Sequence, residues 1–213
     1  DKLVKDVKLT KTYGGAVLEN PVSEDPSFID RLKVNMKQKK SIGAKAAELI
    51  KDGETIFIDM STTALEVIKS VPDNIEITVI TNSFEAIIEL KYRVNIRLVM
   101  IGGTFDKANL FMGGSMANRF IEHYYVDKTF FSVKALSKNR GLMDSKEEIA
   151  EIKSKMVQNA REAILVIDGS KVDKTALFNV ITMDQISTIV TDYILDQQWL
   201  DILESHNIDG LMV

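Results

Sequence analysis

Six apolar runs of strand character are punctuated by short polar segments: Asp59-Met60-Ser61-Thr62-Thr63, Thr81-Asn82-Ser83, Gly102-Gly103, Asp127-Lys128, Asp168-Gly169-Ser170-Lys171 and Thr191-Asp192. Hydroxyls, an amide, carboxylates, glycines and two lysines of this kind suit the binding of an anionic, hydroxylated small molecule. An open α/β sheet gathers such loops in the crevice outside the carboxyl ends of its strands. Backbone donors, helix N-termini and counter-charges then meet in one place. A phosphorylated sugar has the matching chemistry.

Each segment also has a purely structural use. Ser61-Thr62-Thr63, between a strand and a helix, offers three hydroxyls beside free helical N–H groups, either as an anion cradle or as a helix cap. Thr81-Asn82-Ser83 repeats that grammar, with the same two readings. Gly102-Gly103 is either a tight strand exit or a place where a ligand meets bare backbone. Asp168-Gly169-Ser170-Lys171 sets a carboxylate that accepts from sugar hydroxyls three residues from an ammonium that meets phosphate, and is equally a surface turn. Asp127-Lys128, just before a strand, is a ligand pair or a solvated strand entry. Neither His123 nor Trp199 has a partner constellation, so both read as packing or capping residues rather than catalytic ones.

Composition narrows the classes. With no cysteine and only two histidines, His123 and His206, the chain holds no disulfide, thiolate zinc site or histidine metal cluster. No dinucleotide fingerprint or P-loop occurs, so no nucleotide cofactor is expected. No apolar stretch approaches the roughly 20 residues needed to span a bilayer, which together with the absent cysteines gives the expectation of a cytoplasmic protein with no membrane partner. The net charge of −4 argues against general nucleic-acid affinity. Charge is unevenly placed, with Lys2, Lys5, Lys8 and Lys11 at the start and Asp184, Asp192, Asp196, Asp201, Glu204 and Asp209 near the end.

The elements that must position these loops follow from periodicity. Residues 1–20 read as extended, with a turn at Gly14-Gly15, and Ser27 caps a helix beginning near Phe28. A second helix is expected from Ser41, with Ile42, Ala46, Leu49 and Ile50 on one face and Asp52-Gly53 at its end. Strands are expected at 55–59, 77–81, 96–101, 128–133, 163–167 and 188–191. Helices are expected at 64–71, 84–90, 116–122, 145–160 and 196–206. Alternation of this kind builds an open, mostly parallel α/β sheet with helices on both faces, joined by right-handed crossovers. No repeat or low-complexity segment interrupts it, so one domain is expected over 21–213.

Over nearly its whole length the chain resembles the C-terminal effector-sensing domain of DeoR-family transcriptional repressors, whose fold is similar to that of ribose-phosphate isomerases and CoA transferases. The resemblance is carried by Tyr13-Gly14-Gly15-Ala16, Lys40-Ser41-Ile42-Gly43, Ile58-Asp59 with Ser61-Thr62-Thr63, Val79-Ile80-Thr81-Asn82-Ser83, Ile101-Gly102-Gly103, Val126-Asp127-Lys128, Gly141-Leu142, Lys153, Asp168-Gly169-Ser170-Lys171 and Thr191-Asp192. It implies a sensor of a phosphorylated sugar or related intermediate that relays occupancy to an N-terminal winged helix-turn-helix. Residues 1–20 would be the linker and first strand after that module, and operator DNA would be met only through it.

Carried over residue by residue, the resemblance gives Asp59, Ser61, Thr62 and Thr63 one end of the effector and lines its flank with Thr81, Asn82 and Ser83. It lets Gly102 and Gly103 approach it closely, and gives its hydroxyls and phosphate to Asp127, Lys128, Lys153, Asp168 and Lys171. Met60-Ser61 stands where the family has a small residue and glycine, and 132–136 replaces a run richer in glycine and asparagine. A sugar-phosphate isomerase or deaminase is the alternative on the same fold. Such chemistry needs a positioned base and a second acid, and the rim has neither a paired acidic loop nor an adjacent histidine, so binding without turnover is expected. A homo-oligomer is expected as well, with Ile202, Leu203, Leu211 and Met212 as contact candidates.

Overall fold

The computed structural model describes residues 26–213 and the backbone of two short strands, β1 (Leu9–Thr12) and β2 (Gly15–Leu18), which pair antiparallel. Of the expected turn at Gly14-Gly15, Gly14 lies outside the described residues, as do Lys2, Lys5 and Lys8. From Pro26 onward the order is α1 (Phe28–Lys33), α2 (Met36–Ala47), β3 (Thr55–Ile58), α3 (Thr62–Lys69), β4 (Ile77–Thr81), α4 (Phe84–Leu90) and β5 (Ile96–Met100). A hairpin of β6 (Thr104–Asp106) and β7 (Phe111–Gly113) precedes α5 (Ser115–Ile121). Then come β8 (Val126–Phe131), β9 (Ala135–Ser137), β10 (Gly141–Asp144), α6 (Glu147–Gln158), β11 (Ala160–Ile167), β12 (Phe178–Ile181), β13 (Thr188–Thr191), α7 (Gln197–Ser205) and β14 (Asp209–Met212).

Seven of these strands form one sheet in the order β14-β13-β11-β8-β3-β4-β5, every neighbouring pair parallel. From β3 the chain builds outward through β4 to β5, and from β8 outward the other way through β11 and β13 to β14. The direction of winding therefore reverses between β3 and β8, which is where such sheets open a crevice. A smaller antiparallel sheet, β12-β10-β9, covers one end of the cavity region.

Strand alternation decides which helices cover which face. Ile56 and Ile58 join Ile42 and Ala46 of α2, Val67 of α3 and Ala86 of α4 in one core, whereas Phe57 joins Ala117 of α5 and Ile149 and Ile152 of α6 in another. Phe131, Leu165 and Ile189 pack with Trp199 and Leu203 of α7. Helices thus cover both faces, as the alternation requires. Gly43 brings α2 close to α3, since a Cβ there would stand 2.5 Å from the Glu66 carbonyl carbon.

Helix α2 starts five residues ahead of Ser41, after Asn35 in a left-handed conformation (φ 52°), so Ser41 lies inside the helix rather than capping it. Ser27, Ser61, Ser83 and Asp196 do cap their helices, each accepting from a backbone N–H of the first turn. The C-terminal contact candidates need correction. Leu203 is buried beside Trp199, because the apolar face of α7 turns inward, and only Met212 of the four is exposed. Trp199 is a packing residue whose Nε1 donates to Asp173. Among the described residues no helix is long and apolar enough to cross a membrane.

Candidate functional site

Outside the carboxyl ends of β3, β8 and β11 lies a cavity of about 500 Å³. Five stretches of chain wall it. The α1–α2 segment contributes Asp30, Arg31, Val34, Asn35 and Lys39; the β3–α3 loop contributes Met60, Ser61 and Thr62; the exit of β8 contributes Ser132, Val133 and Lys134. Asp144, Ser145, Ile149 and Lys153 come from β10 and α6, and Asp168, Ser170, Lys171, Lys174 and Thr175 from the exit of β11. Six cationic side chains therefore face three carboxylates in a chain whose net charge is −4.

The floor is built on Asp59, which is 1% exposed and sits just behind the lining. Its Oδ1 accepts from Ser61 N–H at 2.8 Å and its Oδ2 from Ser132 N–H at 3.2 Å, so one carboxylate ties the ends of β3 and β8 together at the reversal. Lys153 reaches both acids from α6, with Nζ 2.7 Å from Asp144 and 3.6 Å from Asp59. All three side chains are buried. Lys153 is therefore already compensated, and it orients the floor as much as it charges it.

The wall opposite is a second network. Asp168 Oδ1 accepts from Asn35 Nδ2 at 3.0 Å, from Ser170 N–H at 3.3 Å and from the Ser170 hydroxyl, and its Oδ2 lies 3.7 Å from Lys171. Burial opposes its ionisation, but Lys171, Ser170, Asn35 and Lys39 outweigh burial and hold the carboxyl below its ordinary range. Lys171 also donates to Ser132 Oγ at 3.3 Å. A fifth of its side chain is open to the cavity, yet protein surrounds the ammonium, and that desolvation pushes its pKa down to about 8 against the attraction of Asp168. Lys39 is 3% exposed and donates to the Arg31 carbonyl. Burial lowers its pKa too, with Arg31 adding to the effect and Asp168 and Glu66 opposing it. Arg31 Nη1 in turn donates to Asn109 at 2.9 Å, in the β6–β7 turn.

Of the residues singled out from the sequence, Ser61, Thr62, Lys153, Asp168 and Lys171 come together in the cavity lining, with Asp59 beneath them. The others go elsewhere. Thr63 is buried with an unpartnered hydroxyl outside the lining. Thr81 donates to the Ile58 carbonyl and accepts from Ser83 N–H, Ser83 caps α4, and Asn82 donates to Met112, so this loop is spent on joining β4 to its neighbours. Gly102 and Gly103 lie outside this cavity by the β6–β7 hairpin; a Cβ on Gly103 would stand 2.4 Å from the Gly113 carbonyl oxygen, whereas nothing stands within 4 Å of one on Gly102.

Asp127 and Lys128 are corrected outright. They begin β8, and in a parallel sheet the first residues of a strand lie at the edge opposite the crevice. There Asp127 accepts from Thr55 N–H and pairs with Arg161, while Lys128 is buried against Glu54. Sequence reasoning gave no site role to Arg31, Asn35, Lys39, Lys134 and Asp144; of these only Lys134 directly follows an expected strand, and it stands before the apolar Ala135-Leu136. Among the described residues no group of acidic, histidine or cysteine side chains is placed to hold a metal ion.

Comparison with known proteins finds the family and the fold. The family model described as the DeoR C terminal sensor domain matches residues 34–193. The HTH-type transcriptional regulator YulB of Bacillus subtilis is 36% identical over 98% of this chain and 80% of its own length. The HTH-type transcriptional repressor GlcR of the same organism is 31% identical over 99% of the chain and 81% of its own. Among solved structures, eIF2B delta of Chaetomium thermophilum superposes with a TM-score of 0.55 at 15% identity, over 76% of this chain and 58% of that one, a likeness of fold alone.

Proposed function

This chain belongs to the family of DeoR C-terminal sensor domains, and we propose that its cavity holds a phosphorylated sugar whose occupancy a transcriptional regulator reads. The observation that carries the proposal is the imbalance of charge in an enclosed space. Arg31, Lys39, Lys134, Lys153, Lys171 and Lys174 line it with Asp30, Asp144 and Asp168, leaving a positive excess that suits a phosphate monoester of charge about −2. The volume fits a ligand of that size. Ser61, Thr62, Ser132, Ser145, Ser170 and Thr175 supply hydroxyls for the sugar.

Turnover is not supported by the same geometry. Aldose–ketose chemistry needs a carboxylate or imidazole ready to take a proton. Asp144 and Asp168 each face a lysine, Asp30 is exposed and accepts from the Ser27 hydroxyl, and no histidine lines the cavity. A sensor needs only differential affinity for two arrangements of the protein. In the intact regulator that difference would reach DNA through the segment ahead of Pro26, because α1, which follows it, contributes Asp30 and Arg31 to the cavity wall.

A thermal-shift panel of sugar phosphates, each beside its parent sugar, tests the reading. A ligand at 100 times its dissociation constant adds about 2.7 kcal/mol, a rise of roughly 5–10 °C for a chain of this size. Stabilisation by at least one phosphorylated sugar and not by its parent is expected; a panel in which parent sugars stabilise equally overturns the phosphate assignment.

A further inference from the structure

Lys39 is the one lysine in the cavity wall that is buried without a carboxylate partner among the described residues. Lys153 has Asp144 and Asp59, and Lys171 has Asp168, within ion-pair distance. Lys39 has the Arg31 carbonyl alone, although only 3% of it is exposed. Buried ammonium groups are ordinarily paired, because an uncompensated charge out of water is strongly unfavourable. Its nearest acids act only at longer range, Asp168 across the cavity wall and Glu66 from α3. A charge held at such expense in the wall of a cavity of about 500 Å³ is explained if an anion completes its coordination.

Resting on the phosphorylated-sugar reading above, we propose that Lys39 binds the effector's phosphate together with Lys171 and ties it to α1 through the Arg31 carbonyl. Lys39 and Lys171 both line this cavity, and both feel the charge of Asp168, so an anion held there faces two ammonium groups. The Arg31 carbonyl accepts from Lys39 near the end of α1, and Arg31 reaches Asn109 while Phe28 N–H donates to the Ala108 carbonyl. A phosphate that draws the Lys39 ammonium toward the cavity thus acts directly on the helix that follows the N-terminal segment. The sequence pattern hides this role, since Lys39 beside Lys40 on a helix reads as part of a solvated face.

The test uses inorganic phosphate, compared with chloride at matched ionic strength, on the full chain and on Lys39→Met, Lys39→Gln and Lys45→Met, the last a partly exposed lysine of the same helix that pairs with Glu48 outside the cavity. Calorimetry and thermal shift give phosphate affinity, and hydrogen exchange follows the amides of 28–34. Phosphate is expected to bind the unchanged chain and Lys45→Met alike and to protect 28–34. Both Lys39 variants are expected to fold with undiminished stability, to lose affinity about tenfold or more, and to lose the protection. No phosphate binding by the unchanged chain overturns the phosphorylated-ligand reading along with this inference. Phosphate binding that survives in the Lys39 variants overturns the role of Lys39 alone, as does a loss matched by equal loss of stability in both.

Discussion

At the amino edge of the seven-stranded sheet Lys128 is buried against Glu54 and Asp127 accepts from Thr55 N–H, whereas at the carboxyl edge Lys39 is buried with only a backbone carbonyl and Lys171 lies 3.7 Å from Asp168. Lysines and aspartates occur at both edges. What separates them is closure: Glu54 and Lys128 complete each other, and the carboxyl edge leaves charge facing a cavity. Residue type alone therefore does not mark a binding site. The informative feature is a buried cation whose compensation the protein does not supply.

The largest effect that separates the edges is expected at Lys128. Lys128→Met leaves Glu54 buried and unpaired, at a cost of about 3–5 kcal/mol, and adding Glu54→Gln should recover much of it. Urea denaturation measures both. Effector affinity of whatever remains folded should not change, and a variant that keeps its stability but loses affinity would erase the distinction between the edges.

Lys171→Met is expected to do the reverse. Losing a charge-assisted contact to phosphate costs about 1.5–3 kcal/mol of binding, or roughly tenfold to a hundredfold in dissociation constant, with a smaller loss of stability than Lys128→Met because Asp168 keeps Asn35 and Ser170. Equal affinity in calorimetry would take Lys171 out of the site.

The pH dependence is a sharper signature, because stability and affinity should move in opposite directions. Lys171 titrates near 8 in the folded chain and near its ordinary 10.5 when unfolded. Its charged form is thus disfavoured by folding below pH 8, and that penalty is relieved as pH rises from 8 toward 10.5. Phosphate binding needs the charged form, so affinity should fall by up to about tenfold per pH unit above 8. Below about pH 6 it should fall again as the phosphate takes a proton. Affinity that stays level between pH 7 and 9.5 would exclude the Lys171 contact. The smallest effect is expected at Asp127→Asn, whose pairing with Arg161 is half exposed; a loss of about 1 kcal/mol or less, with affinity unchanged, is the outcome to check by denaturation.

Much of the scaffold was legible. Ser27 caps where expected, Ser61 and Ser83 take the capping one of their two readings, and Asp196 caps a helix it was expected to begin. The three- and four-residue strands β9, β10 and β12 were not visible, since so short a run has no measurable period, and β14 hides behind Asp209-Gly210. The site was half legible. Asp168-Gly169-Ser170-Lys171 stood out because its residues are consecutive, while Asn35 bonds the same carboxylate from 133 positions away, Lys39 only lines the same cavity, and neither carries a local mark. Thr81 looked like a rim residue and is instead turned onto the Ile58 carbonyl, a choice that only strand pairing decides.

The central claim is that the excess positive charge of the cavity exists for a phosphate group on a sugar. Titration calorimetry of the chain with the sugar phosphate that stabilises it most, and then with the same sugar lacking the phosphate, tests this most directly. The account predicts at least about tenfold weaker binding of the parent sugar, a difference of about 1.4 kcal/mol; equal dissociation constants would contradict it.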